Sequence, residues 1–193
     1  MSRSDPALTG APLIPTLVCT RLVLRPFSLD DVPRVEELLN APEIAASTLY
    51  ISYPYPPGAA ETWICSHAPA AEAGEEITWA ITLRDTEVVI GAFGLRTVTQ
   101  HKRGDLGYWV GVPYWNQGYM TEALKRVISY AFEHLGFHRV EALHFAGNPS
   151  SGRVMEKAGM DDEGTLRAYY QKGDQPIDVV MRSILRSDGA AKV

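Results

Sequence analysis

The sequence is poor in cysteine. Its 193 residues include only Cys19 and Cys65, which lie far apart in the chain and form no C-x-x-C pair. This scarcity excludes a small scaffold held together by disulfides. We interpret the two side chains as reduced thiols of a cytoplasmic protein, with a disulfide between them as the alternative.

An excess of positive charge and long apolar runs are also missing. The 18 lysines and arginines are outnumbered by 23 aspartates and glutamates, and the net charge is −5 with histidine neutral. A nucleic-acid binder is therefore excluded as the leading hypothesis, and cationic partners such as amines are mildly favoured. No stretch approaches the roughly 18 apolar residues that span a membrane. Prolines interrupt residues 1–16, which predicts a flexible leader and not a signal peptide.

Two common catalytic motifs do not occur either. Gly136 lies between His134 and His138, and no H-E-x-x-H is present, so the sequence predicts no metal site. No serine lies in a G-x-S-x-G motif, which excludes that type of serine hydrolase.

Hydrophobic periodicity predicts strands mixed with helices in one domain. Apolar residues make up 46% and charged residues 21% of the chain, as in ordinary globular proteins. A period of two predicts strands at residues 17–25, 76–83, 88–97, 105–112, 138–145, 165–171 and 177–185. Apolar faces, caps and breakers predict helices between Ser28 and Pro42, at residues 59–72, at residues 118–136 and from Asn148 to Gly159. Such a mixture favours an α/β domain with a mixed sheet and helices on its faces.

Two junctions between a strand and a helix are candidate anion sites. At residues 115–122, backbone N–H groups would point off a helix N-terminus, Gly118 permits close approach, and Asn116 tolerates a left-handed conformation. An ordinary tight turn without a ligand explains the same residues. The second junction begins at Asn148, where plain capping is the alternative. Both junctions are predicted at the sheet edge where ligands bind in open α/β folds.

These motifs resemble those of the GNAT superfamily of N-acetyltransferases. Residues 106–110 and 114–123, with the run YWNQGYMTEA, look like its acetyl-CoA loop. Residues 138–142, 148–151 and 153–160 resemble the segments that follow that loop. Because several motifs occur in the right order, the resemblance is specific.

The chain is most similar to the RimJ/RimL-like branch, which acetylates N-terminal amino groups of ribosomal proteins. Residues 20–26 and 178–181 resemble that branch. The resemblance covers residues 17–186, the expected acetyltransferase domain, and leaves residues 187–193 as a C-terminal tail. It implies a single GNAT-like domain of the α/β (α+β) class with a mixed, mostly antiparallel sheet of about six or seven strands.

The resemblance also implies acetyl-CoA as cosubstrate. The pyrophosphate would bind backbone N–H groups of residues 117–121, the pantetheine arm would pair with the strand edge at residues 109–112, and Asn148 would bind the pantetheine amides. The implied cofactor-binding residues are Val110, Val112, Gln117, Gly118, Tyr119, Met120, Thr121, Asn148 and Ser151.

The implied catalytic residues are Asp105, Ser151 and Tyr170. Amide formation needs a proton acceptor, stabilisation of an oxyanion and a proton donor for the departing sulfur. Asp105 stands where family members often have a glutamate and would act through a water; a turn acid is the alternative. Ser151 would protonate the thiolate. Tyr170, or its neighbour Tyr169, would be an acid or a cross-strand aromatic, and the N–H near Val110 is the expected oxyanion donor.

Two residues depart from the superfamily pattern, and the acceptor stays open. Trp115 and Met120 stand at the first and last positions of the loop motif, and we expect Met120 to narrow the route to the pyrophosphate. We expect direct transfer to a primary amine, a protein N-terminus first. The alternatives are a small amine (polyamine, amino acid or aminoglycoside) or a non-catalytic acyl-CoA-binding module. We expect no nucleic-acid or membrane partner, and a monomer or homodimer. The aromatic loop at residues 50–58 could cover the acceptor or be packed core.

Overall fold

A mixed eight-stranded sheet forms the centre of the molecule. The computed structural model describes residues 13–189 of the chain. The strands are β1 (Leu17–Val18), β2 (Leu22–Arg25), β3 (Glu76–Leu83), β4 (Val89–Val98), β5 (Arg103–Val110), β6 (Arg139–Phe145), β7 (Asp161–Lys172) and β8 (Gln175–Leu185). Their order in the sheet is β1-β2-β3-β4-β5-β6-β8-β7. Among the described strands, β5 and β6 form the one parallel pair. The prediction of a single α/β domain with a mostly antiparallel sheet is confirmed.

The described part of the chain has six helices, five between these strands and one after β8. They are α1 (Val32–Leu39), α2 (Pro42–Ser47), α3 (Ala59–Glu72), α4 (Tyr119–Glu133), α5 (Pro149–Lys157) and α6 (Arg186–Gly189). The helices α1, α3, α4 and α5 are those that the sequence predicts. Short 3-10 turns lie at residues 29–31, 99–101 and 112–114. None of these helices is long and apolar enough to cross a membrane.

The predicted number of strands is corrected from six or seven to eight. The strand predicted over residues 17–25 is a hairpin, in which Leu17 pairs with Leu24 and the Cys19 amide donates to the Leu22 carbonyl at 2.9 Å. Both arms carry alternating apolar residues, so their pattern alone does not reveal the turn between them.

Residues 13–16 of the predicted leader pack on the domain. Ile14 is buried, and the indole Nε1 of the fully buried Trp79 donates to the Pro15 carbonyl at 2.7 Å. A buried indole N–H needs such a partner. The packed structure therefore begins before residue 17, while residues 1–12 of the predicted leader and 190–193 of the predicted tail lie outside the described residues.

Two apolar layers cover the two faces of the sheet. In the larger layer α4, with Leu124, and α5 pack on strand residues such as Phe93. In the smaller layer α1, α2 and α3 pack on Ala92 and Trp109. Full burial of a side chain such as Leu124 contributes about 2 kcal/mol to the free energy of unfolding. Because both faces are covered, the middle of β3 is buried on both sides.

The sheet opens between β5 and β6. The two strands pair from Arg103 with Arg139 only as far as Leu106 with Ala142. Beyond that point β5 continues with β4 to Val110, and β6 continues with β8 to Phe145. Backbone N–H and C=O groups along the opening therefore have no strand partner there, and both α4 and α5 begin at this edge.

Candidate active site

A cavity of about 1070 Å³ occupies the opening between β5 and β6 and extends over the sheet toward residues 50–56. Of the residues predicted for the site, those that line it are Asp105, Val110, Gly118, Tyr119, Met120, Thr121, Asn148, Ser151 and Tyr170. Val112 and Gln117 do not line it. Val112 packs against the smaller apolar layer, and the Gln117 side chain donates to the Pro113 carbonyl at 2.9 Å. The fold thus brings nearly all the predicted residues to one cleft.

The N-terminus of α4 has the backbone of an anion site. Asn116 and Gly118 both have positive φ, 61° and 78°, as the sequence predicts for Asn116. These left-handed residues turn the chain so that the helix starts with its N–H groups directed out of the fold. The Glu122 amide donates to the Gly118 carbonyl, which leaves the amides of residues 119–121 without a partner inside the helix. Such groups, with the helix dipole behind them, suit a phosphate.

Arg21, in the turn between β1 and β2, fastens this loop. Its backbone amide and its Nε donate to the two carboxylate oxygens of Glu122 at 2.7 and 2.8 Å. Its guanidinium also donates to the Gln117 carbonyl at 3.0 Å and lies 4.6 Å from the centre of the Tyr119 ring. One side chain therefore holds both ends of the loop that would bind the pyrophosphate.

The two residues that depart from the superfamily pattern have different surroundings. The indole Nε1 of Trp115 donates to the Val110 carbonyl at 2.7 Å, and the ring is 37% exposed beside the cavity. Met120 is buried among the core residues below α4 and also lines the cavity. Trp115 therefore ties the loop to the end of β5.

The free edge of β5 faces the opening at Val110. The Gly111 amide donates to the Ile90 carbonyl of β4 at 2.8 Å, and residues along a strand alternate between its two neighbours. The backbone of Val110 is thus directed away from β4, in agreement with the contact that its carbonyl accepts from Trp115. Its N–H points the same way, into the cleft, where an extended amide chain could pair with it.

The start of α5 supplies polar groups on the other wall. The Asn148 side-chain oxygen accepts the Ser151 amide at 3.3 Å, so the predicted cap is confirmed and the Asn148 amide nitrogen is left for a ligand. The hydroxyls of Ser151 and Tyr108 lie 2.8 Å apart. Burial raises the pKa of the Tyr108 phenol to about 12 although the Ser151 contact lowers it, so Tyr108 stays protonated near neutral pH and can donate.

Asp105 lies in a chain of ion pairs at the cleft floor. One carboxylate oxygen accepts from Arg103 at 2.7 Å and the other from Arg96 at 3.3 Å. Arg103 also pairs with Glu141, which in turn accepts from Arg139 at 2.6 Å. Both Asp105 oxygens are therefore occupied by guanidinium groups, which orients the carboxylate toward its arginines.

Tyr170 lies on the far side of the cleft, on β7. Its ring contacts that of Tyr169 edge-on, with 4.9 Å between the ring centres. Burial raises its pKa, helped by the neighbouring Tyr169 and Tyr50. Tyr170 is a protonated phenol at neutral pH, placed with Asp105 and Arg96 among its charged neighbours.

Comparison with known proteins decides the family. The model of the acetyltransferase (GNAT) domain matches residues 21–161. The chain belongs to the GNAT acetyltransferase family. It is therefore an acyltransferase domain, as its motifs predict.

Relatives of this GNAT domain extend over most of its length. It is 30% identical over 187 residues to the uncharacterized N-acetyltransferase YoaA of Bacillus subtilis, covering 90% of this chain and 98% of that protein. Its fold is similar to Mycobacterium smegmatis RimJ in complex with CoA-disulfide (TM-score 0.81, 21% identity, 90% and 88% of the two chains). It is also similar to Vibrio cholerae spermidine N-acetyltransferase in complex with CoA and spermine (TM-score 0.74, 19% identity, 88% and 98%). RimL, the ribosomal L7/L12 N-acetyltransferase, is a further structural neighbour.

Sequence reasoning missed two residues of this GNAT site. Arg21 lies in the TRLVLRP segment that resembles the RimJ/RimL-like branch, so a signal was present without a role attached to it. Tyr108 lies in the LGYWV strand motif, but its contact with Ser151 joins residues 43 positions apart and has no local pattern. Among residues 13–189, no group of three His, Cys, Asp or Glu side chains is placed to hold a metal ion.

Proposed function

We propose that this GNAT domain transfers the acetyl group of acetyl-CoA directly to a primary amine, and that its acceptor is the N-terminal amino group of a protein. The observation that carries the proposal is the separation of β5 from β6 beyond Leu106, with two helix N-termini at the same edge. That arrangement offers free backbone groups for an extended amide chain and unpaired amides for a diphosphate.

The residues of the cleft fit acetyl-CoA. The amides of residues 119–121 hold the pyrophosphate, with Gly118 giving room for close approach. The Val110 N–H and the Asn148 amide nitrogen face the pantetheine arm from the two walls. The same Val110 N–H is the oxyanion donor of the acetyl transfer, since it points into the cleft next to the place where the arm ends.

A proton donor for the departing sulfur is present at the start of α5. Ser151 lies against Tyr108, and a proton given by Ser151 is replaced from the phenol 2.8 Å away. Tyr170 is the second proposed donor, from the β7 side. Neither Cys19 nor Cys65 lines the cavity, which supports direct transfer over a thiol relay.

The open acceptor end supports a protein N-terminus as the acceptor. Tyr50 is 90% exposed and Tyr169 51% exposed at the rim of the cleft. An open rim leaves room for an amine attached to a larger molecule. RimJ and RimL as structural neighbours agree with this choice. The likeness to a spermidine N-acetyltransferase favours a small amine as the second candidate.

The proposal is tested by turnover. The protein is incubated with acetyl-CoA and, separately, with a peptide that has a free N-terminus, an amino acid, a polyamine and an aminoglycoside. CoA release and acetylated product are measured for each. We expect the peptide to be acetylated at its N-terminus, and a peptide already blocked there to be inert.

Binding without turnover would support the non-catalytic alternative. Thermal unfolding with acetyl-CoA, with ATP and NAD as controls, separates the two. At about 100 times its dissociation constant a ligand adds roughly 2.7 kcal/mol to the free energy of unfolding, a shift of about 2–4 °C per kcal/mol for a domain of this size. A shift with acetyl-CoA alone, but no product from any amine, contradicts the enzymatic proposal.

A further inference from the structure

The floor on the acceptor side of the cleft includes two glycines, which carry no side chain. Three strands lie side by side there, and their register places Thr78 of β3, Gly94 of β4 and Gly107 of β5 in one row. Residues that are opposite each other on neighbouring strands project from the same face of a sheet. A side chain added at Gly107 would meet nothing within 4 Å, so there is open space above this part of β5.

Glu76 leans over this floor from β3. Its Oε1 would lie only 2.6 Å from a Cβ placed on Gly94, so the carboxylate occupies the space that a side chain on β4 would fill. Neighbouring strands are about 4.8 Å apart. A carboxylate above β4 is therefore within reach, directly or through one water, of a group held above Gly107.

Of the three carboxylates that line the cleft, Glu76 is the one that has no ion pair. Asp105 has both oxygens on arginines, and Glu141 is held by Arg103 and Arg139. Among the ion pairs of residues 13–189, none involves Glu76, whose Oε1 accepts a hydrogen bond from the Thr78 hydroxyl at 3.3 Å. A half-buried carboxylate gains most from a counter-ion that the protein itself does not supply.

We propose that Glu76 is the acceptor-binding carboxylate and general base of this site, in the place that the sequence predicts for Asp105, and that the ligand it binds is a primary ammonium group. The proposal rests on the acetyltransferase function above. In the reaction, Glu76 takes one proton from the ammonium, directly or through a water, and passes it to solvent. The amine nitrogen then forms a bond to the carbonyl carbon of the thioester, the C–S bond breaks, and the sulfur leaves with its electron pair. The second proton lost by the nitrogen balances the proton that the thiolate receives, so amide, thiol and one proton are released.

Other charged or titratable groups line the cleft together with Glu76 and contribute to any pH dependence. Those on the strands are Arg96 of β4, Arg103, Asp105 and Tyr108 of β5, Glu141 and His144 of β6, and Tyr169 and Tyr170 of β7, and the others are Tyr50, Tyr55, Tyr114, Tyr119, Arg153 and Lys157. Arg96 and Arg103 are paired with the two acids, Asp105 and Glu141. The unpaired carboxylate is therefore the group whose removal changes how the site handles the proton of the amine.

The test compares Glu76→Gln with Glu75→Gln. Glutamine keeps the shape of the side chain and its contact with the Thr78 hydroxyl, and Glu75 is an exposed neighbour that does not line the cleft, so its variant is matched in charge change. We measure kcat/KM for the amine panel between pH 6 and 10 with saturating acetyl-CoA. Glu76→Gln is expected to lower kcat/KM about 100-fold or more near pH 7, and Glu75→Gln to leave it unchanged.

The pH profile separates a base from a structural residue. In Glu76→Gln the logarithm of kcat/KM should rise with unit slope until the pKa of the acceptor amine, because only free amine reacts, while the slope of the intact enzyme is smaller. The thermal shift with acetyl-CoA should be the same in both variants. The variant Asp105→Asn is measured in the same way. If Glu76→Gln has the rates and pH profile of the intact enzyme, or if Asp105→Asn alone loses about 100-fold in kcat/KM, the proposal is overturned and the acetyltransferase function stands. An intact enzyme that acetylates no amine of the panel overturns both.

Discussion

The two ends of the cleft are built in different ways. The cofactor end comes from two short stretches of chain, residues 115–122 and 148–151, and presents mainly backbone groups. The acceptor end is assembled from side chains on strands far apart in the sequence, with Glu76, Asp105 and Tyr170 as examples. A phosphate can be bound by amides that any sequence supplies at a helix N-terminus, whereas an amine must be selected by particular side chains. The first end therefore carries the motifs that resemble the family, whereas differences in acceptor are expected to lie at the second.

The largest effect that would sharpen this comparison is expected from Gly107→Ala. The added methyl group enters the open space above β5 and takes the place of the acceptor, while the fold tolerates it because no atom lies within 4 Å. One methyl group in a fitted pocket changes kcat/KM by about 10- to 200-fold. We expect a loss in that range for the amine.

The stability and the acetyl-CoA binding of the Gly107→Ala variant serve as controls. Alanine in a strand is more stable than glycine by about 0.5–1 kcal/mol, so the melting temperature should be unchanged or higher, and KM for acetyl-CoA should not move. A variant that acetylates the same amine at the normal rate would show that the acceptor does not use the glycine floor.

The sequence predicts local features of the fold and the site better than it predicts features that depend on distant parts of the chain. The sequence predicts α3, α4, α5 and the caps at Gly118 and Asn148, because periodicity, glycine and asparagine act within a few residues. For the same reason, most of the residues predicted to bind the cofactor do line the cleft. The sequence does not predict the hairpin at residues 17–25, because both arms share one alternation pattern.

The acceptor end is harder to read from the sequence, because it depends on pairing across strands. Asp105 fits the motif by position, but its arginine partners at positions 96 and 103 become visible only in the register of β4 with β5. Glu76 reads as one more surface acid in an alternating strand. Its place over Gly94 is a property of β3 and β4 together.

The next effect concerns the group that links the two ends, the Ser151–Tyr108 pair. Removal of the Ser151 hydroxyl by alanine, or of the Tyr108 hydroxyl by phenylalanine, should lower kcat about 10- to 100-fold, at the lower end of general-acid effects. Because the two hydroxyls act in sequence, kcat of the double variant should be no lower than kcat of the less active single variant. Stopped-flow measurement of CoA release gives kcat for each.

Two further variants make this measurement decisive. Ser129→Ala removes a hydroxyl on the outer surface of α4, away from the cavity, and should leave kcat unchanged. Tyr170→Phe tests the other proposed donor. A larger loss in Tyr170→Phe than in Ser151→Ala would assign the proton donor to β7.

A smaller effect is expected at the cofactor end, from Arg21→Ala. The change removes two side-chain hydrogen bonds and the contact with the Tyr119 ring. Exposed ion pairs and cation–π contacts are each worth up to about 1 kcal/mol, so KM for acetyl-CoA should rise about 3- to 10-fold with kcat unchanged. A double-mutant cycle with Glu122→Gln should show coupling between the two residues. Independent, additive effects would contradict a shared role in holding the loop.

The last effect should leave catalysis unchanged, because it tests the apolar layer under the acceptor end and is seen in stability alone. His67 of α3 is 6% exposed between Phe27 and Trp63, and neither ring nitrogen has a partner. Burial lowers its pKa to about 4 from 6.5, so the unfolded chain binds the proton first as the pH falls. The free energy of unfolding should therefore drop by up to about 1.4 kcal/mol per pH unit between pH 6.5 and 4 on account of this residue, and be insensitive to it above that range. Urea unfolding of His67→Leu should lack that part of the slope, whereas His138→Gln, at an exposed histidine, should keep it. Equal slopes of the free energy of unfolding against pH in all three proteins would mean that His67 is hydrated. The apolar layer below the acceptor end would then be open to water, in contrast to a closed layer at the cofactor end.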